Sequence, residues 1–171
     1  MRVEDAEDIA QWGSWLLEVE VIGERARNSS PAGEGESYVG RDVLVRVDAV
    51  VWGHADGVTP VRDGEEMTLY TFPGYVEQGG DRRPAVEEGT LRMEVGGRYA
   101  AVVADDVVDD RQVLTLIGTL PIEGAAIRLP NGSSLTISSA REALAAIDPA
   151  VPVGPRSGES LVERLERWSD G

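Results

Sequence analysis

The chain contains no cysteine and no lysine, and it has a single histidine. Without cysteine there is no disulfide, no thiolate nucleophile and no cysteine-based zinc site, and one histidine cannot build a multi-histidine metal centre. Without lysine there is no Schiff-base chemistry, no lysine general base and no phosphate-loop lysine. Long apolar runs are missing too, since no segment approaches the roughly 18 consecutive apolar residues of a membrane-spanning helix. The first residues, MRVEDAEDIAQWGSW, carry acids where a secretion signal carries basic residues followed by an apolar run. If Met1 is the native start, the expectation is a cytoplasmic protein.

Positive charge is scarce as well. Sixteen basic residues, all arginine, face 31 acidic ones, for a net charge of -15. Such a chain repels nucleic-acid phosphates, so neither a nucleic-acid nor a membrane partner is expected. The plain use of this charge is solubility. A second use, imitation of DNA by an inhibitor of a DNA-binding protein, stands as an alternative function.

What is present fits one compact domain, because a chain of 171 residues buries roughly 70 % of its unfolded surface. The principal element is the stretch VGRDVLVRVDAVVWGH, residues 39–54. Val39, Val43, Val45, Val47, Ala49 and Val51 fall on odd positions and Asp42, Arg46 and Asp48 on even ones, the mark of a half-buried β-strand. Val50, Val51 and Trp52 then break the alternation, which means either cover on both faces or a bulge that bends a barrel strand.

Around this strand the chain reads in order. Residues 1–13 predict a short acidic helix with Asp5 as cap and Gly13 as stop. Trp15, Leu17, Val19 and Val21 predict a first strand over 15–22, with residues 24–27 leading into solvent and NSSPAGEGES, 28–37, as an exposed loop. A third strand starts at Met67 and ends at Pro73-Gly74, and 78–90 reads as a loop. Leu91, Met93 and Val95 predict another strand, turned by Gly96-Gly97 into a return strand over 98–104. Residues 105–112 read as an acidic turn, 113–117 as a strand and 120–122 as an extended edge. Pro130-Asn131-Gly132 tips a further hairpin.

Ser139 with Glu142 makes a capping box that predicts a helix over 139–148. Residues 149–158 read as a proline-bearing tether. Ser160 with Glu163 opens a final helix over 159–171, whose Leu161, Leu165 and Trp168 share one face and must dock on the barrel or on a partner. Short strands with helices only at the ends predict a mainly β protein, a small antiparallel OB-like barrel or sandwich over 14–138.

Within residues 38–103, VGRDVLVRVDAVVWG, TLYTFPGY and LRMEVGGRYAAVV follow one another. This layout resembles uncharacterised bacterial proteins with an OB-type barrel like that of netrin modules, the class that includes tissue inhibitors of metalloproteinases. The resemblance implies a barrel and binding rather than catalysis. It does not extend to protease inhibition through an N-terminal cysteine, because this chain begins Met1-Arg2 and has no cysteine.

Candidate chemistry is sparse. His54, with Asp56 or Asp63 to orient it, has the makings of a general base but no serine nucleophile beside it. Asp105, Asp106, Asp109 and Asp110 form a DD-x-x-DD cluster that would suit a hard divalent cation if its oxygens converged, and otherwise reads as a solvated turn. Tyr70, Phe72 and Tyr75, with Trp52, concentrate aromatics on the second and third strands, the usual binding side of an OB-like barrel. The expected function is therefore a non-enzymatic module acting by protein contact, with no cofactor, through Trp52, His54, Tyr70, Phe72, Tyr75, Leu161, Leu165 and Trp168. It has a protein partner and can be part of a homo- or hetero-oligomer. The alternative is a hydrolase or transferase using a divalent cation at the aspartate cluster.

Overall fold

The computed structural model describes residues 3–33, 35–53, 59–85, 91–108 and 110–147. His54, Asp109, the tether at 149–158 and the helix expected over 159–171, with Leu161, Leu165 and Trp168, lie outside the described residues.

Helix α1 (Ala6–Trp12) is followed by β1 (Trp15–Gly33), β2 (Glu36–Gly53), β3 (Glu66–Gln78), β4 (Asp81–Pro84), β5 (Arg98–Val108), β6 (Arg111–Glu123), β7 (Ala126–Arg128), β8 (Ser134–Thr136) and α2 (Ile137–Ala146). Strands β1, β2, β3, β6 and β5 pair in that order, and β5 returns to β1, so five strands close a barrel. This is the mainly β, OB-like barrel with flanking helices that the sequence predicts. One pairing departs from the antiparallel expectation: β3 and β6 run parallel, joined only at Leu69↔Leu114 and Tyr70↔Thr115.

Alternation explains the two-layer core. Leu17, Val19 and Val21 of β1, Val43, Val45 and Val47 of β2, and Ala101 and Val103 of β5 fill the barrel. The opposite faces of β1 and β5, through Leu16, Ala100 and Val102, pack with Ile9 and Ala10 of α1 and Ala140 and Leu144 of α2. The helices thus cover one outer side of the barrel. Asp5 caps α1 by accepting from the N–H groups of Glu7 and Asp8, and Gly13 follows its last turn, as expected.

The break at Val50 has both anticipated causes at once. Leu16 pairs with Trp52 and Leu17 with Val50, leaving Val51 as the extra residue of a bulge. Val51 joins the helix-side core while Val50 packs against the barrel interior. Arg141 of α2 secures the bend by donating to the carbonyls of Val51 and Val50, both at 3.0 Å.

Several boundaries are corrected. β1 does not stop at Ile22, and 28–37 is not a loop: β1 and β2 continue as a hairpin arm to the Gly33↔Glu36 pair. The β1 residues 27–30 are polar, so backbone pairing extends β1 there without an alternating apolar face to mark it. β3 does not end at Pro73-Gly74 but runs to Gln78, and Gly79-Gly80 turns it into β4 inside the expected 78–90 loop. Residues 91–95 form no strand: Met93 is buried in the barrel core while Leu91 and Val95 are exposed.

Residues 105–108 are strand rather than turn, and 111–123 is one strand rather than two pieces. Helix α2 begins earlier than the Ser139 capping box, because Thr136 is the N-cap and accepts from the Ser139 N–H.

Candidate functional site

The site is built on a bulge in β3. Val39 and Arg41 of β2 pair with Tyr75 and Thr71, so Gly40 alone stands opposite Phe72, Pro73 and Gly74. The Phe72-Pro73 bond is cis. The surplus residues bow outward, and Phe72 is 48 % exposed. Its ring meets Tyr38 edge-on, with centroids 6.1 Å apart, and lies nearly parallel to Tyr70 at 6.5 Å. Arg27 covers Tyr70, with its guanidinium carbon 4.6 Å from the ring centroid. Buried Asp42 holds Arg27 at 2.5 Å and Arg25 at 2.6 Å.

Beneath the bulge lies Arg41, only 2 % exposed. Its Nη2 donates to the Glu24 carboxylate and to the Met93 carbonyl, while its Nε has no hydrogen-bond partner among the described residues. Glu24 also accepts from the Tyr75 hydroxyl at 2.9 Å, and Arg92 stands 3.6 Å away. Arg92 in turn donates to the Gly74 carbonyl at 2.9 Å and lies 4.8 Å over the Tyr75 ring. Burial pushes the Glu24 carboxyl up, but the Tyr75 hydroxyl, the Arg41 hydrogen bond and the charges of Arg41 and Arg92 together hold it below its ordinary value.

Beyond Tyr70 and Thr115, β3 and β6 separate. Between them opens a cleft of about 590 Å³, with residues 71–74 on one wall and 116–119 on the other. Leu91, 42 % exposed, and Tyr38, 39 % exposed, stand at its rim, and buried Arg41 and Met93 line its inner part. Among the described residues that line it, the charged ones are Arg41 and Arg92, and none is acidic. A smaller cleft of about 270 Å³ lies at the other end of the β3–β6 pairing, between Arg27, Tyr70 and Gln112.

The β6 wall carries a backbone edge without a strand partner among the described residues. β6 pairs with β5 on one side, but on the other its ladder partners stop at Thr115 and resume only at Ile122, which meets β7. Residues 116–121 therefore have no ladder partner on the cleft side among the described residues. An extended polypeptide has the hydrogen-bonding groups to add there as a strand.

Of the residues expected to bind a partner, Phe72 lines this cleft and stacks on Tyr70, which lines the smaller one, while Tyr75 lines neither and meets Glu24, Arg82 and Arg92 instead. Trp52 does not join them; it is half-buried and packs against the helix-side core. Of the aspartate cluster, Asp105 and Asp106 are buried in β5, where neighbouring positions face opposite sides. Asp105 accepts from the Thr59 N–H, and Asp106 from the Thr115 hydroxyl and the Val107 N–H. Asp110 follows in the turn with φ 58°. No group of three His, Cys, Asp or Glu residues suited to a metal ion occurs among the described residues.

Sequence reasoning passed over Arg41, Glu24, Tyr38, Leu91 and Arg92. For Arg41 a signal existed, because it shares the odd parity of Val39, Val43 and Val45 and so belongs to the buried face of its strand. No protein-family model, no curated protein and no solved structure matches the chain.

Proposed function

We propose that this chain is a non-enzymatic β-barrel module that works by protein contact, and that its contact site is the cleft between β3 and β6. The carrying observation is Phe72, which the β3 bulge turns outward beside a cleft whose β6 wall has no ladder partner among the described residues. Exposed Phe72, Leu91 and Tyr38 supply the apolar anchors that dominate protein contacts. The backbone of 116–121 supplies main-chain hydrogen bonds to an extended segment of the partner. The cleft volume also suits such a segment, since binding clefts span about 300–1,000 Å³.

Among the described residues, apolar exposure and an edge of β6 without a ladder partner are concentrated in one place. The likeness of residues 38–103 to netrin-type modules points in the same direction, toward binding.

The test is a photo-reactive residue placed at position 72 and, in a second variant, at position 44, which is exposed but does not line the cleft. In the native cell, one defined protein adduct forms from position 72 and is absent from position 44. Equal labelling from both positions, or none from 72, removes this reading.

A further inference from the structure

The barrel closes with an odd number of strands. From β1 to β2 to β3, and from β1 to β5 to β6, each strand runs opposite to its neighbour, so β3 and β6 meet running the same way. That seam is joined only at Leu69↔Leu114 and Tyr70↔Thr115. The next shortest, β1 with β5, pairs without interruption from Trp15↔Val103 to Glu20↔Arg98. The two clefts are thus one gap between β3 and β6, interrupted by those two pairs: about 590 Å³ lies on the side of Gly74 and Thr119, and about 270 Å³ on the side of Met67 and Gln112. We infer that the β3–β6 seam is a gate, which parts while the other four seams stay paired and joins the two clefts into one slot for a partner's strand. The inference rests on the reading of the larger cleft as a protein-contact site and says how the partner segment enters.

Backbone, strand direction and burial agree. Parallel pairing is slightly less stable per residue than antiparallel, and a fold opens locally where the fewest bonds must break. The Thr115 hydroxyl donates to Asp106 of β5 rather than across the seam. A strand entering between β3 and β6 runs antiparallel to both, so two antiparallel pairings replace the parallel one and direction alternates all the way round. Along β6 it meets residues 112–113 and 116–121, which have no ladder partner on this side among the described residues. Leu69 and Leu114 flank the seam and are buried in the barrel core. Opening uncovers them, so the strand that enters carries apolar side chains at alternate positions, on its inward face.

The test uses the full-length chain. Amide hydrogen exchange is measured first, in the unaltered protein. Amides within 68–71 and 113–116 that face the seam exchange about tenfold or more faster than those around Val19, at a rate that low urea barely changes, as opening short of global unfolding requires. Tyr70→Cys with Thr115→Cys then locks the seam, because the two are direct ladder partners and the chain has no cysteine of its own. With a photo-reactive residue at position 72 of this variant, the partner adduct is lost in the oxidised form and returns on reduction. Seam amides as slow as those around Val19, or an adduct that the disulfide leaves undiminished, overturn the gate. No adduct from either form removes the contact reading alone, and the exchange rates then decide the gate, so the two fail separately.

Discussion

A Cβ atom on Gly74 would stand 2.2 Å from Cβ of Arg41 and 3.1 Å from its Cα. The β3 bulge therefore rests directly on the main chain of β2, and it is this contact that seats the bulge over the buried guanidinium.

Gly74→Ala should accordingly destabilise the fold. The clash is with backbone and Cβ, which no rotamer change relieves, so the cost is that of overpacking, about 1–3 kcal/mol. A urea midpoint measures it. Gly23→Ala is the control: its Cβ would lie 3.8 Å from Leu44, ordinary contact, and the change should stay under about 1 kcal/mol. Equal losses for the two variants would refute the account of the bulge.

Arg41→Met should cost about 2–4 kcal/mol, because it leaves the Met93 carbonyl and one side of Glu24 without their donor. The figure sits below the full value for a buried pair because Glu24 is partly exposed and keeps Tyr75 and Arg92. Arg41→Lys should recover only part of it, since an ammonium cannot reproduce the planar donor fork. Chemical denaturation of the three proteins side by side checks the order.

The legible part of this fold is the part with one buried face. The strands around Leu17, Val45 and Val103 announce themselves by alternation because burial imposes it. The β1 half of the arm beyond Ala26 was not legible, since Arg27, Asn28, Ser29 and Ser30 are polar in succession and backbone pairing with β2 makes the ladder. Residues 105–108 misled for another reason: aspartates read as solvent-facing, yet Asp105 and Asp106 are buried with donors supplied from Thr59, distant in sequence, and from Thr115 on the neighbouring strand. Leu91, Met93 and Val95 alternate without forming a strand, because only Met93 has a core to enter. At the site, the aromatics of β3 were legible by type. The cleft was not, because it arises where two strands far apart in sequence pair for two residues and then part.

Glu24 gives the arm a pH dependence of definite sign. Its folded-state carboxyl lies below the ordinary value of 4.5, so the unfolded chain binds more protons as pH falls. The stabilisation is complete above the unfolded-state value, begins to fade as pH drops through about 4.5 and is lost once pH passes below the depressed folded value. Stability measured across this acid range should fall less steeply for Glu24→Gln than for the parent. Parallel curves would remove Glu24 as the cause.

Arg141→Ala should loosen the bend in β2. The guanidinium joins α2 to the carbonyls of Val50 and Val51 at the bulge, and losing hydrogen bonds from a charged donor costs about 1–3 kcal/mol. Amide hydrogen exchange localises the effect: protection should drop around Val51 and Trp52 and stay unchanged around Val43. Uniform loss across β2 would mean that the arginine supports the barrel as a whole.

Phe72→Ser should separate binding from folding. The ring is 48 % exposed and, among the described aromatics, meets Tyr70 and the exposed Tyr38, so stability should change by less than about 1 kcal/mol. An outward aromatic at the rim of a cleft is, by contrast, the kind of anchor whose removal weakens a complex by about tenfold or more. The expected pattern, an unchanged urea midpoint with loss of the adduct formed from a photo-reactive residue at neighbouring position 91, is the reverse of that for Gly74→Ala, which loses stability first. If Phe72→Ser instead lowers the midpoint as much as Gly74→Ala does while leaving the adduct intact, the ring serves the bulge and not a partner.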